Sequence, residues 1–484
     1  MSDAKSTKGT GLTNKERMKI PRQRMPEQDP GARRGNFDEV ALGLSDELAY
    51  QDALRCIQCK NRPCVEGCPV HIDIPGFIRA FEEGDLKESA RVLKDANSLP
   101  AICGRVCPQE QQCELVCTLG KKGDPVAIGH LERYVSDWER ENLGIVVPKK
   151  DPPTGRKVAI IGSGPAGLTA AGDLAKKGHE VVIFEALHKP GGVTRYGIPS
   201  FRLPRDILDG EIDYLKALGV KIICNVVVGK AFSVDDLLKE YDTVFVGTGA
   251  GLPWFMRIPG ENLKGVYSAN EYLTRIILMG GRGIPDTDTP VVVGKRVAVI
   301  GGGNTAMDAC RVSLRMGAEK VHCLYRRSRV EMPARVEEID HAEEEGVDFQ
   351  FLTAPVEFFG DDQGWLRGAK CVRMELAEPD ASGRRRPVVI EGSEFEIDLD
   401  TCVEAIGFGA NPLVPQTTPG LQTNKWGIVE ADAETGKTSR ERVYAGGDII
   451  TGGSTVISAM GQARVAAAAM HEYMMSVEAI AKAK

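Results

Sequence analysis

Hydrophobic and polar positions change their rhythm several times along the chain. Residues 1–36 show neither a helical nor a strand period and scatter Lys and Arg among Gly and Pro, which predicts a flexible arm or a segment that wraps another surface. "DEVALGLSDELAYQDALRC" then reads as a helical segment, and "IPGFIRAFEEGDLKESARVLKDAN" as two short amphipathic helices hinged at Gly84. Pro148, Pro152 and Pro153 in "VVPKKDPPTG" stop helix and strand alike, so a small helical domain spans 37–150. Beyond it the pattern becomes a short apolar strand, a Gly-rich turn, a helix and another strand. This happens at "RKVAIIGSGPAGLTAAGDLAKKGHEVVIFEA" and again at "GKRVAVIGGGNTAMDACRVSLRMGAEKVHCLYRRS". A strand-rich stretch broken by a polar hairpin at Asp361 to Gly364 follows the second copy, and an Ala-rich helix closes the chain.

The fold class expected is α/β, with two Rossmann-like nucleotide-binding domains behind the helical one. The first is discontinuous, 151–290 and 412–484, and the second, 291–411, is inserted into it. A length of 484 residues is too great for one core. The 54 glycines suit loops that bring backbone close to phosphate. A net charge of −7 gives no reason to expect nucleic-acid binding. No apolar run approaches the roughly 20 residues that span a bilayer, so membrane insertion is not expected. The N-terminal stretch lacks the apolar core of a signal peptide, which points to the cytoplasm.

That compartment matters for the cysteines. "CIQCKNRPCVEGCP" places Cys56, Cys59, Cys64 and Cys68 at spacings of two, four and three, with a proline after the last, and "CGRVCPQEQQCELVC" adds Cys103, Cys107, Cys113 and Cys117. Disulfides need an oxidising compartment, and zinc usually takes Cys-x2-Cys hooks separated by a longer loop. The crowded run with its proline is nearer the bacterial ferredoxin pattern, with one residue inserted in the second gap. Two groups suggest two [4Fe–4S] clusters whose ligands cross between groups. Cys224, Cys310, Cys323, Cys371 and Cys402 are isolated and read as packing residues.

In the first strand-turn-helix unit, Gly162, Gly164 and Gly167 permit the tight turn, the helix N-terminus faces pyrophosphate, and Glu185 ends the second strand where a ribose hydroxyl needs an acceptor. In the second unit Gly301, Gly303 and Ala306 take the turn positions beside Asn304, and Arg326 and Arg327 stand where the acid would be. Guanidinium groups attract a 2′-phosphate that a carboxylate would repel, so the first site suits FAD or NAD and the second NADP(H). The alternative for the arginines is a solvated basic face continuing through Arg329. A dithiol oxidoreductase would need a redox-active Cys-x2-Cys near the flavin, and neither nucleotide domain has one. Intact nucleotide loops argue against a non-catalytic scaffold.

"YDTVFVGTGA", "LDTCVEAIGFGANP" and "RVYAGGDIITGGSTVISAMGQARVAAAAM" resemble the domain crossings and the last segment of flavin disulfide reductases. That resemblance implies that Asp448 binds the flavin ribityl or pyrophosphate and that the helix beginning near Thr455 turns its positive end to the flavin. The loop "GGVTRYGIPSFRLP", with Gly191, Gly192 and Arg195, is expected along the flavin. Together with "CGRVCPQ", "IGSGPAGL", "GGGNTAMD", "YRR" and "AGGD", the chain from about residue 37 resembles the glutamate synthase small-subunit family. "MPEQDPGARRGNFDEVALG" and "SLPAICGRVCPQEQQCE" look most similar to the large subunit of the electron-bifurcating NADH-dependent ferredoxin:NADP oxidoreductases. The N-terminal domain is also similar to that of dihydropyrimidine dehydrogenase. The last similarity implies Cys56, Cys59, Cys64 and Cys117 for one cluster, and Cys68, Cys107 and Cys113 for the other. Its fourth ligand would be Glu132, with Cys103 as competitor. The family implies FAD, NADP(H) and two clusters as cofactors, and hydride transfer between nicotinamide and flavin requires no side-chain acid or base as catalyst. The family also implies a second redox subunit as partner, either a small FAD/[2Fe–2S] flavoprotein or a glutamate synthase large subunit, with ferredoxin as a further candidate.

Overall fold

The computed structural model describes residues 11–282, 287–380 and 383–482. Each Gly-rich turn follows the central strand of a five-stranded parallel sheet. In the first sheet Lys157–Ile161 lies between Glu180–Phe184 and Thr243–Val246, with Lys221–Ile223 and Val443–Ala445 at the edges. In the second, Arg296–Ile300 lies between Lys320–Tyr325 and Thr401–Glu404, with Asp348–Phe351 and Val266–Ser268 outside them. The central strands are continuous apolar runs because both faces of a parallel sheet are covered. The two chain passages between the lobes run side by side as an antiparallel ribbon, Ala250–Pro253 against Phe408–Ala410.

Val266–Ser268 lies in the second sheet, and Tyr272, Leu273 and Ile276 pack against Val297, Val299 and Met307. The second lobe therefore takes in residues that a boundary at 291 assigns to the first. So short a strand carries no period of its own, and its partner Thr401–Glu404 is remote in sequence. An antiparallel meander, Thr353–Gly360, Leu366–Pro379, Arg385–Val389 and Phe395–Asp398, leans on this lobe, with its first turn at the expected Asp361 to Gly364.

In the helical domain Ile74–Glu82 and Leu86–Ala96 meet at Gly84. Asp73 and Asp85 cap them by accepting the Gly76 and Glu88 amides at 3.2 and 2.9 Å. The helix expected before the first cysteine run contracts to Asp46–Ala53, capped by Ser45. Phe77, Ile102 and Leu131 share one continuous core with Leu168, Ile207 and Met460 of the first nucleotide lobe. The helical domain is thus seated on that lobe.

The arm from residue 11 is packed, as the wrapping segment of the two alternatives would be and not as a flexible arm; residues 1–10 lie outside the described residues. Arg17 pairs with Glu82, and Arg22 with Glu114 at 2.8 Å, on the helical domain. The Val40 amide donates to the Phe201 carbonyl at 2.9 Å on the first lobe. Arg33, only 1% exposed, reaches Glu345 at 3.0 Å and Glu344 at 2.6 Å on the second. A stretch without hydrophobic period is ordered here by ion pairs to segments far along the chain. Arg33→Ala is expected to cost about 3 kcal/mol, the low end for a broken buried pair, because Glu345 keeps Arg311 and Arg315. Limited trypsin digestion should then cleave the arm faster than in wild type; unchanged cleavage would show that Arg33 does not hold it.

Candidate functional site

The cysteines converge in two nests. Cys56, Cys59, Cys64 and Cys117 line one small apolar cavity with Ile57, Ile74, Pro75 and Ile128. Burial pushes the Cys56 thiol up to about 11 and Cys64 to about 12, with neighbouring cysteine sulfurs adding to the effect. Such a nest holds thiolates only when a cation neutralises them, and four sulfurs with no carboxylate on the wall are a donor set for iron. In the second nest Cys113 lies near Cys68 and Glu132, and Cys107 adjoins Cys103. Glu132 accepts from Asn97 Nδ2 at 2.7 Å, and burial pushes its carboxyl up to about 8. Cys103 Sγ sits 3.5 Å from Met460 Sδ on the C-terminal helix Val456–Lys482. That helix is pressed onto the backbone beyond Cys68: a Cβ on Gly461 would stand 2.5 Å from the Pro69 carbonyl oxygen. Of the isolated cysteines, Cys310, Cys323, Cys371 and Cys402 are buried and Cys224 is half-buried.

A cavity of about 1280 Å³ runs from the first Gly-rich turn to the second. Gly162, Gly164, Glu185, Gly192, Asp448 and Thr455 line one end, and Gly301, Gly303, Asn304, Arg326 and Arg327 the other. Gly167 and Ala306 lie beneath the turns; a Cβ on Gly167 would stand 1.9 Å from the Gly162 oxygen, so only glycine lets helix and turn close. Glu185 accepts the Ser163 and Leu187 amides, each at 2.8 Å, and so fixes the turn as well as facing the cavity. Burial raises the Asp448 carboxyl to about 6. Thr455 accepts the Ser458 amide at 3.2 Å and caps the C-terminal helix, whose first residue also meets the cavity. Arg195 is elsewhere: it is buried, donates to the Pro190 carbonyl at 3.0 Å and pairs with Asp209, while its neighbour Tyr196 takes the cavity wall. Thr248 Oγ1 is buried on the same wall with no hydrogen-bond partner among the described residues, which fits a polar cofactor lying there.

Thr248 had a signal, the polar residue between glycines in "VGTGA" at a strand end; Tyr196 had none. Val106 and Pro108 also line the cavity, so Cys107 lies between two of its wall residues. At the far end Arg384 joins Arg326 and Arg327.

Residues 33–143 match the family model for dihydropyrimidine dehydrogenase domain II, 4Fe-4S cluster, and residues 156–468 that for pyridine nucleotide-disulphide oxidoreductase. The glutamate synthase [NADPH] small chain of Azospirillum brasilense is 38% identical over 460 residues, 93% of this chain and 94% of that one. The chain belongs to the glutamate synthase small-chain family. The Escherichia coli member is 36% identical over 91% of this chain and 95% of its own length. The NADPH-Fe(3+) oxidoreductase subunit beta of Geobacter sulfurreducens is 39% identical over 90% of this chain and 68% of its own. FprA of Mycobacterium tuberculosis, solved with NADPH, shares the fold at a TM-score of 0.58 and 21% identity, covering 67% of this chain and 86% of that one. A member of this family with these domains is an NADP(H)-dependent iron–sulfur flavoprotein oxidoreductase using FAD. Among the described residues no helix is long and apolar enough to cross a membrane.

Proposed function

We propose that this chain is the electron-input subunit of a larger redox enzyme, taking reducing equivalents from NADPH and delivering them singly to a partner subunit. The carrying observation is the single cavity that meets both Gly-rich turns and the residues flanking Cys107. Gly162, Gly164 and Gly167 with the start of helix Pro165–Lys176 would seat the FAD pyrophosphate, and Glu185 a ribose hydroxyl. Asp448 and the capped start of the C-terminal helix would face the rest of the flavin. Gly301, Gly303 and Asn304, over Ala306, would seat the NADPH pyrophosphate, with Arg326 and Arg327 at the 2′-phosphate. When bound, FAD accepts a hydride and releases electrons one at a time, and iron–sulfur clusters carry single electrons. The residues supply position and charge; hydride transfer asks no side-chain acid or base of them.

Cys68, Cys107, Cys113 and Glu132 would hold the inner cluster beside this cavity, and Cys56, Cys59, Cys64 and Cys117 the outer one. The cavity-wall position of Val106 and Pro108 supports that order. Glu132→Ala is expected to change the inner cluster's EPR signal while Cys103→Ala leaves it nearly intact. The reverse pattern would give the fourth ligand to Cys103.

Two partners fit. Full-length similarity to glutamate synthase small chains supports a glutamate-forming large subunit. The resemblance of the "MPEQDPGARRGNFDEVALG" run to ferredoxin:NADP oxidoreductases supports a small FAD/[2Fe–2S] flavoprotein. Anaerobic co-purification decides between them: a large amidotransferase means glutamate synthesis, and a small [2Fe–2S] flavoprotein means ferredoxin:NADP chemistry. A chain that purifies alone and passes no electrons from NADPH beyond its flavin would overturn the proposal.

A further inference from the structure

The far end of the cavity carries more positive charge than the strand end alone provides. Arg326 and Arg327 follow the strand Lys320–Tyr325, while Arg384 comes from the antiparallel meander, immediately before the strand Arg385–Val389. All three line this end. The Asp380 amide closes the meander's hairpin by donating to the Arg384 carbonyl at 2.8 Å, and Arg327 Nε ties that hairpin to the strand end by donating to the Arg385 carbonyl at 2.7 Å. Arg327 also gives a second donor to Asp380 Oδ2 at 2.8 Å and is only 5% exposed. Much of its fork is therefore spent holding the meander, whereas Arg326 is exposed and Arg384 half-exposed.

We infer that Arg384 is a specificity-determining residue for NADPH: it binds the 2′-phosphate together with Arg326, and Arg327 is chiefly the positioning residue that brings it there. This rests on the reading of the second Gly-rich turn as the NADP(H) site. Three guanidinium groups line this wall, and Asp380 pairs with one of them, Arg327. A 2′-phosphate of close to two negative charges is drawn to such a wall, and its oxygens suit planar guanidinium forks. Arg326, exposed at its tip with its stem set against the wall, has its proton affinity lowered by partial desolvation first and then by the neighbouring charges of Arg327 and Arg384. Adenine is neutral and the Gly-rich turn with its helix start takes the pyrophosphate, so the arginine from the meander serves the one group that separates NADPH from NADH.

Calorimetric titration of the anaerobically purified holoprotein with adenosine 2′,5′-bisphosphate and with 5′-AMP tests the assignment without turnover. Wild type should prefer the bisphosphate, and Arg384→Ala should weaken it by roughly tenfold or more while leaving 5′-AMP within about twofold. Arg384→Lys, which keeps the charge and loses the fork, should fall between, and retained flavin absorbance shows that each variant is folded. A wild-type preference that survives in Arg384→Ala would overturn the role of Arg384 and leave the NADP(H) site standing. A wild type that binds both probes equally would overturn the site and, with it, the role of Arg384.

Discussion

Cys64→Ser is expected to take the protein from about eight iron atoms per chain to about four while FAD stays bound. Cys64 belongs to the apolar nest it shares with Cys56, Cys59 and Cys117, whereas the flavin end of the cavity is built by the first sheet and the C-terminal helix. Serine offers a harder and less acidic donor, and three thiols in an apolar wall are a poor four-iron site. The nest around Cys68, Cys107 and Cys113 keeps all its own donors. Iron by mass spectrometry, with flavin from its visible absorbance, measures both halves of the expectation. Stoichiometric zinc with negligible iron in the wild type would refute the cluster assignment, and loss of flavin together with iron would refute the independence of the two sites.

What could be read in advance was whatever local spacing enforces. The glycine turns were legible because close approach at Gly167 admits no Cβ, and a strand, a turn and a helix must then follow in register. The hinge at Gly84 and the hairpin at Asp361 to Gly364 were legible for the same local reason. Long-range pairing left no such trace. Nothing around Arg33 announces Glu345, and nothing in "GVYSAN" announces that Val266–Ser268 pairs with a strand beyond the second Gly-rich turn. Arg195 shows the limit within a loop that reaches the cavity. Its neighbour Tyr196 faces the cavity while the guanidinium turns to Asp209, and which of two adjacent side chains points inward depends on packing with a helix that the loop's own residues do not describe. Cysteine spacing likewise suggested two groups with crossing ligands but not which cysteine crosses, which only the resemblance to dihydropyrimidine dehydrogenase implied. Cys117 sits with the first run because the fold brings that turn beside Ile74 and Ile128.

Coenzyme choice should show the second large effect, and the separate roles of two neighbouring arginines make it divisible. Arg326→Ala/Arg327→Ala is expected to raise the NADPH concentration needed for flavin reduction by roughly two to three orders of magnitude, since charge-assisted contacts are each worth about 1.5–3 kcal/mol and solvent restores part of the loss. NADH, with only a hydroxyl at that place, should change little. Of the single variants, Arg326→Ala removes a guanidinium from the exposed face, and its cost should fall on NADPH alone. Arg327→Ala acts differently. It withdraws the donors that hold the Arg385 carbonyl and Asp380, so the hairpin carrying Arg384 loses one tie to the strand end and the Asp380 carboxylate loses a balancing charge beside the incoming phosphate. Asp380→Asn placed on Arg327→Ala should therefore recover part of the NADPH affinity, whereas on Arg326→Ala it should recover much less, because Asp380 is hydrogen-bonded to Arg327 and acts on Arg326 through its charge. Stopped-flow flavin bleaching with both coenzymes measures each case. A wild type that responds equally to NADH and NADPH would refute the assignment of the site, and equal recovery in both backgrounds would refute the division of labour between Arg326 and Arg327.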